Sequence, residues 1–250
     1  MPMAAINKVK VIVAGDSGVG KSSLTHLITQ GEPLISPGWT IGCSLEVKLH
    51  EYKEGTQAQS TFFVELWDIG GSISHKNTRD VFYQPTHGII LVHDLTNRKS
   101  EQNLQKWLSE ILNKEANLGK SASEDYDPEQ FIGSNQIPIF VVGTKLDLAE
   151  EKHKAKIKSI SNIADQCGAD EIHVNCHQSK SLAAGSTTAV KLSRFFDKVI
   201  ERRYYSRDAI NRKKMFAVTP IVDRTAGAYS PITMEQGYHN PLTPKFYHME

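Results

Sequence analysis

The sequence predicts an α/β fold built on a parallel sheet. Residues 9–13, Val-Lys-Val-Ile-Val, form a short β-branched run of the kind that fills a buried parallel strand. Residues 15–22, Gly-Asp-Ser-Gly-Val-Gly-Lys-Ser, follow almost at once and fit G-x-x-x-x-G-K-[S/T] at every fixed position. Leu24, Leu27 and Ile28 then fall at i, i+3 and i+4, the apolar face of a helix. At ordinary glycine usage, accident would produce the motif in about one chain of this length in a hundred. The strand-to-helix setting makes accident rarer.

The backbone of this loop carries its chemistry. Glycines let the chain curl so that successive N–H groups point inward at phosphate oxygens, and the helix N-terminus adds partial positive charge. The candidate phosphate cradle runs through Asp16, Ser17, Gly18, Val19, Gly20, Lys21, Ser22 and Ser23. Lys21 is placed to reach β- and γ-phosphates, and the Ser22 hydroxyl to ligate Mg²⁺.

Residues 31–38 are too rich in Pro and Gly for a helix or a central strand. From 43 to 52 alternation returns, with Leu45, Val47 and Leu49 on one face and Ser44, Glu46, Lys48 and His50 on the other. Residues 61–67 run back after a turn at 53–56, which predicts an antiparallel hairpin with one half-buried face. Asp68 leaves its second strand in Trp-Asp-Ile-Gly-Gly-Ser, residues 67–72. A carboxylate there, beside a phosphate loop, suits Mg²⁺-bound water. Gly71 closes D-x-x-G, and without a side chain its N–H can approach a terminal phosphate.

Residues 88–94 predict a further strand, and Leu104, Trp107, Leu108, Ile111 and Leu112 a helix over 100–114. Residues 115–136 lack a period and predict a loop insertion. Residues 137–143 predict the next strand, which runs into Thr144-Lys145-Leu146-Asp147. A base can be read there. The Asp147 carboxylate accepts from N1–H and the exocyclic amine of guanine, a pair that adenine does not present, while the Lys145 stem lies along the purine face. A polar helix at about 151–166 and a short strand near 171–175 follow. The last helix spans 185–204, with Val190, Leu192, Phe195, Phe196 and Val199 as its stripe. Residues 1–205 are read as one domain and 206–250 as a disordered tail.

Twenty-nine basic residues against 28 acidic give a net charge of +1, which argues against a general nucleic-acid or membrane-surface binder. Cys43, Cys167 and Cys176 form no C-x-x-C pair, and no apolar run exceeds strand length. Both features predict a soluble, cytoplasmic protein in a reducing compartment.

Four motifs now stand in order: residues 15–22, Thr40, residues 68–71 and residues 144–147. Together they resemble the Ras-superfamily small GTPases over about residues 8–204, and Trp-Thr-Ile-Gly at 39–42 with Leu-Trp-Asp at 66–68 resembles the Rab branch. The resemblance implies a P-loop small-GTPase fold, a six-stranded, mainly parallel sheet with helices on both faces. It implies GTP or GDP with Mg²⁺ as ligands and a switch driven by GTP. Ser22, Thr40 and Asp68 become the metal ligands, and Lys21, Thr40 and Gly71 the groups at the γ-phosphate. Thr144, Lys145 and Asp147 would hold guanine, with the last base-contacting element at Asn175 and Cys176. Partners implied are proteins engaged through the switch regions, including other Ras-type GTPases, their prenylation chaperones and a second copy of the chain.

Three departures accompany the resemblance. Ser72 stands where relatives place the Gln that orients the attacking water, so slow intrinsic hydrolysis is expected; an arginine from a partner would contribute about 10³–10⁵-fold. Thr144 replaces the usual Asn, with weaker tethering of the P-loop expected. No cysteine follows Cys176 and Pro2 blocks N-myristoylation, so no prenyl group or stable membrane anchor is expected. The alternative is a non-hydrolysing GTP-binding scaffold in which nucleotide only stabilises the fold.

Overall fold

The structure, a computed structural model, describes residues 7–116, 137–153 and 161–205. Its strands are Lys8–Ala14 (β1), Cys43–Tyr52 (β2), Ser60–Ile69 (β3), Gly88–Asp94 (β4), Ile139–Thr144 (β5) and Asp170–His173 (β6). They form one sheet in the order β2-β3-β1-β4-β5-β6. β2 runs antiparallel to β3, and the other pairings are parallel. The helices are Lys21–Gln30 (α1), Arg98–Gln102 (α2), Leu104–Ala116 (α3), Leu146–His153 (α4), Asn162–Cys167 (α5) and Thr187–Ile200 (α6), and a π turn carries α6 on to Tyr205.

β1 lies inside the sheet because its side chains suit cover on both faces. Val9, Val11, Ile12, Val13 and Ala14 are fully buried, each valine adding about 1.5–3 kcal/mol by leaving water. Alternation decides which helices each side chain meets. Val9, Val11 and Val13 join Leu24, Leu27 and Ile28 of α1 and Phe195, Phe196 and Val199 of α6 in one cluster. Ile12 and Ala14 join Leu104, Trp107, Leu108 and Ile111 of α3 and Ile163 and Ala164 of α5 in the other. The six-stranded sheet with helices on both faces is therefore as the resemblance implied.

The hairpin differs from a simple reading of its pattern. Leu45, Val47 and Leu49 are 49%, 45% and 61% exposed, and it is the polar face of β2 that turns inward. Partners from distant elements make this tolerable. His50 Nε2 lies 2.8 Å from Asp197 Oδ1, and the Tyr52 hydroxyl donates to Glu201 Oε1 at 3.1 Å. Lys48 Nζ donates to the Ile28 carbonyl at 3.1 Å, and Thr29 donates to Glu46.

Several boundaries also move. The helix expected over 100–114 breaks at Asn103 into α2 and α3. The helix expected at about 151–166 begins earlier, at Leu146, and α5 is a separate helix; residues 154–160 lie outside the described set. β6 stops at His173 rather than 175, and Val190 in α6 is 39% exposed while the rest of its stripe is buried. α3 reaches Ala116, so residues 115–116 are helical. The remainder of the expected insertion, 117–136, and the tail, 206–250, lie outside the described residues. Among those described, no helix is long and apolar enough to cross a membrane.

Candidate nucleotide site

Open α/β sheets bind ligands beyond the carboxyl ends of their strands, where the strand order reverses. Here the chain leaves β1 for β2 and β3 on one side and β4 on the other. A cavity of about 460 Å³ opens at that end. Of the residues singled out in the sequence, Ser17, Gly18, Gly20, Lys21, Ser22, Ser23, Thr40, Gly71, Thr144, Lys145, Asp147 and Cys176 line it. Pro37, Gly38, Trp39, Leu148 and His177 line it too, and none of them was singled out as a site residue. Trp39, Leu148 and His177 adjoin a singled-out position, and Pro37 and Gly38 lie within three residues of Thr40, which is the only signal that could have found them.

At the phosphate end, Gly20 adopts φ 91° immediately before α1, a conformation that favours glycine. Lys21 is buried and donates to the carbonyls of Gly15 and Asp16 at 2.9 and 2.8 Å. Burial lowers its pKa, against the pull of Asp68 and Asp16. Ser22 Oγ donates to Asp68 Oδ2 at 2.5 Å, and Thr40 Oγ1 to the same oxygen at 3.1 Å. The three expected metal ligands thus converge, although Asp68 itself does not line the cavity. Burial pushes the Asp68 carboxyl up, opposed by Ser22, Lys21 and Thr40. Among the described residues its buried Oδ1 has no hydrogen-bond partner, which fits a cation or its water at this point.

Gly71 needs its missing side chain: a Cβ there would stand 2.5 Å from Ser17 N and 2.6 Å from the Asp16 carbonyl carbon. Just before it, the Gly70 N–H donates to the Gly42 carbonyl at 2.8 Å, tying the segment that carries Thr40 to the one that carries Asp68.

At the other end, Thr144 Oγ1 lies 2.5 Å from the Val19 carbonyl and 3.0 Å from that of His93. A threonine hydroxyl therefore still reaches the P-loop. Lys145 is held at φ 57°, and its ammonium meets Asp94 Oδ2 at 2.7 Å. Among the described residues Asp147 Oδ1, which is buried, has no hydrogen-bond partner, as an acceptor for a bound base would. Burial, with the Asp147 charge adding to it, pushes the Cys176 thiol up to about 12, so it stays protonated at neutral pH.

Residues 10–193 match the Ras family. The chain belongs to the Ras family. It is 53% identical over 213 residues to Rab-like protein 3 of Bos taurus, covering 82% of this chain and 90% of that protein. Against Rab-like protein 3 of Xenopus laevis identity is 54% over 209 residues, 81% of this chain and 88% of that protein. Small GTPase LIP1 of Arabidopsis thaliana is 32% identical over 254 residues, 91% of this chain and 72% of that protein.

Besides Asp68, three of the candidate residues in this Ras-family chain lie off the cavity wall. The Asp16 carboxylate turns away from it, accepting from Asn103 Nδ2 at 2.7 Å and Trp107 Nε1 at 2.9 Å. Val19 is buried and contributes the carbonyl that meets Thr144. The Asn175 side chain accepts the His177 N–H at 2.9 Å, shaping the turn that brings Cys176 and His177 to the cavity. Ser72 is not on the wall either; its hydroxyl lies 2.7 Å from that of Ser74.

Proposed function

We propose that this Ras-family chain is a Mg²⁺-dependent guanine-nucleotide switch with slow intrinsic GTP hydrolysis that acts through protein partners. The carrying observation is that one cavity joins the P-loop, the Ser22–Thr40 end and Asp147. In this reading backbone N–H groups of residues 17–23 and the Lys21 ammonium hold the phosphates. Asp147 accepts from the guanine edge, the Lys145 stem lies on the base, and the Cys176 N–H faces its carbonyl. Ser22 and Thr40 would hold Mg²⁺ directly and Asp68 through water. The ion, when bound, neutralises charge on the β- and γ-phosphates.

Exposed apolar side chains support the partner half of this reading. Ile35, Trp39 and Ile41 flank Thr40 at 95%, 89% and 80% exposure, and Ile73 and Val81 follow Gly71 at 88% and 72%. Exposed apolar side chains of this kind suit protein contacts, for which other Ras-type GTPases, their prenylation chaperones or a second copy of the chain are candidate occupants. Three free cysteines fit a cytoplasmic location.

The Ser72–Ser74 contact favours one second reading, a scaffold that binds GTP without hydrolysing it. Single-turnover hydrolysis of loaded GTP separates the two. Slow turnover in the wild type, raised about tenfold or more by Ser72→Gln, supports the switch. No turnover in either protein establishes the scaffold instead.

A further inference from the structure

Behind the cavity, one indole joins the P-loop to the segment after Gly71. The edge of Trp107 belongs to the P-loop, since its Nε1–H donates to Asp16 Oδ1 at 2.9 Å. Its face belongs to the 3₁₀ turn Arg79–Phe82, whose Arg79 guanidinium stands 3.8 Å from the ring centroid. Arg79 is 5% exposed and grips Glu110 of α3 with two bonds of 2.6 Å, and the Tyr83 hydroxyl donates to the same carboxylate at 2.6 Å. A buried guanidinium shared between a bidentate carboxylate and an aromatic face has one well-defined seat.

Asp16 is where this network meets the nucleotide site. Its carboxylate holds the indole, its carbonyl accepts the Lys21 ammonium at 2.8 Å, and its peptide packs where a Cβ on Gly71 would sit. Tilting the indole therefore moves a peptide that touches both the phosphate-binding lysine and the glycine of D-x-x-G. A phenylalanine would fill the same core space, but it could not hold the P-loop carboxylate.

We propose that Trp107 is a positioning residue of the nucleotide site, coupling Arg79 to Asp16 so that the seat of Arg79 sets how long guanine nucleotide is held. This rests on the guanine-nucleotide reading of the same site. A partner that draws the turn at 79–82 off the indole loosens the P-loop without touching the nucleotide.

The test is a double-mutant cycle on the full chain, read as dissociation of fluorescent GDP into excess GDP. Arg79→Ala and Asp16→Ala, which alter residues at opposite sides of the indole, each speed release about three- to tenfold. Combined, they release no faster than the faster single variant, and in a Trp107→Phe background Arg79→Ala adds little, while Asp16→Ala still loses its bond from Asn103. If Arg79→Ala does not fold, Arg79→Lys gives the same comparison, because it keeps a charge at Glu110 but loses the flat face over the ring. Rates that multiply in the double variant, or a single variant that releases GDP at the wild-type rate, overturn the coupling while leaving the nucleotide reading intact. A wild-type chain that takes up no GDP removes both.

Discussion

Thr144 shows how far one short hydroxyl side chain can reach across the cavity's end of β5. Its hydroxyl lies within hydrogen-bond reach of two carbonyls, at Val19 and His93. One proton serves the pair, yet the P-loop remains tied to β5. Losing that bond and leaving a buried carbonyl unmet costs about 1–3 kcal/mol. Thr144→Ala is therefore expected to release GDP about tenfold faster, while Thr144→Ser stays near the wild type. Stopped-flow release of fluorescent GDP measures both. At this scale the sequence was legible where a motif fixes backbone geometry, as at Gly20, Lys21 and Gly71. It was not legible where direction depends on a distant partner. Asp16 lies inside the P-loop, but Asn103 and Trp107, 87 and 91 residues on, decide where its carboxylate points.

Elements bring together groups that no local pattern connects. His93 on β4 and His173 on β6 both approach Glu171 Oε1, at 3.2 and 3.4 Å, and Glu171 Oε2 accepts the N–H of Ser161, the N-cap of α5, at 2.6 Å. Burial alone would push this carboxyl up, but hydrogen bonds from His173, His93 and Ser161 hold it well below the usual carboxylate range. A lowered folded-state pKa adds stability that is present above the unfolded value, about 4.3, and is lost as pH falls below it. Glu171→Gln is thus expected to cost about 1.5–3 kcal/mol at pH 7, with the gap to wild type closing at acid pH. Urea unfolding at a series of pH values reads it. The scattered histidines gave no hint of this cluster, because parallel pairing across β4, β5 and β6 creates it. The hairpin teaches the same lesson in reverse. Leu45, Val47 and Leu49 alternate as a buried face would, but Asp197 and Glu201 draw the polar face inward.

For the whole molecule, the order of strands does the assembling. Ala14, Ile69 and Thr144 end β1, β3 and β5 at one edge of the sheet, so the loops that follow them share a cavity. That much was legible, because the strand runs and their motifs recur in order along the chain. Wall positions such as Trp39 and His177 were not, since nothing in their own residue type marks a ligand contact. The central claim is that this cavity selects guanine through Asp147, whose unpartnered Oδ1 is the acceptor at stake. The most direct measurement is competition of GDP, ADP and XDP against fluorescent GDP, on wild type and on Asp147→Asn. Asparagine presents a donor where the carboxylate presents an acceptor, and xanthine carries an oxygen where guanine carries an amine. The account predicts GDP preferred over ADP by about a hundredfold or more in the wild type, with the preference passing to XDP in the variant. Equal competition by ADP, or an unchanged preference for GDP in Asp147→Asn, would contradict it.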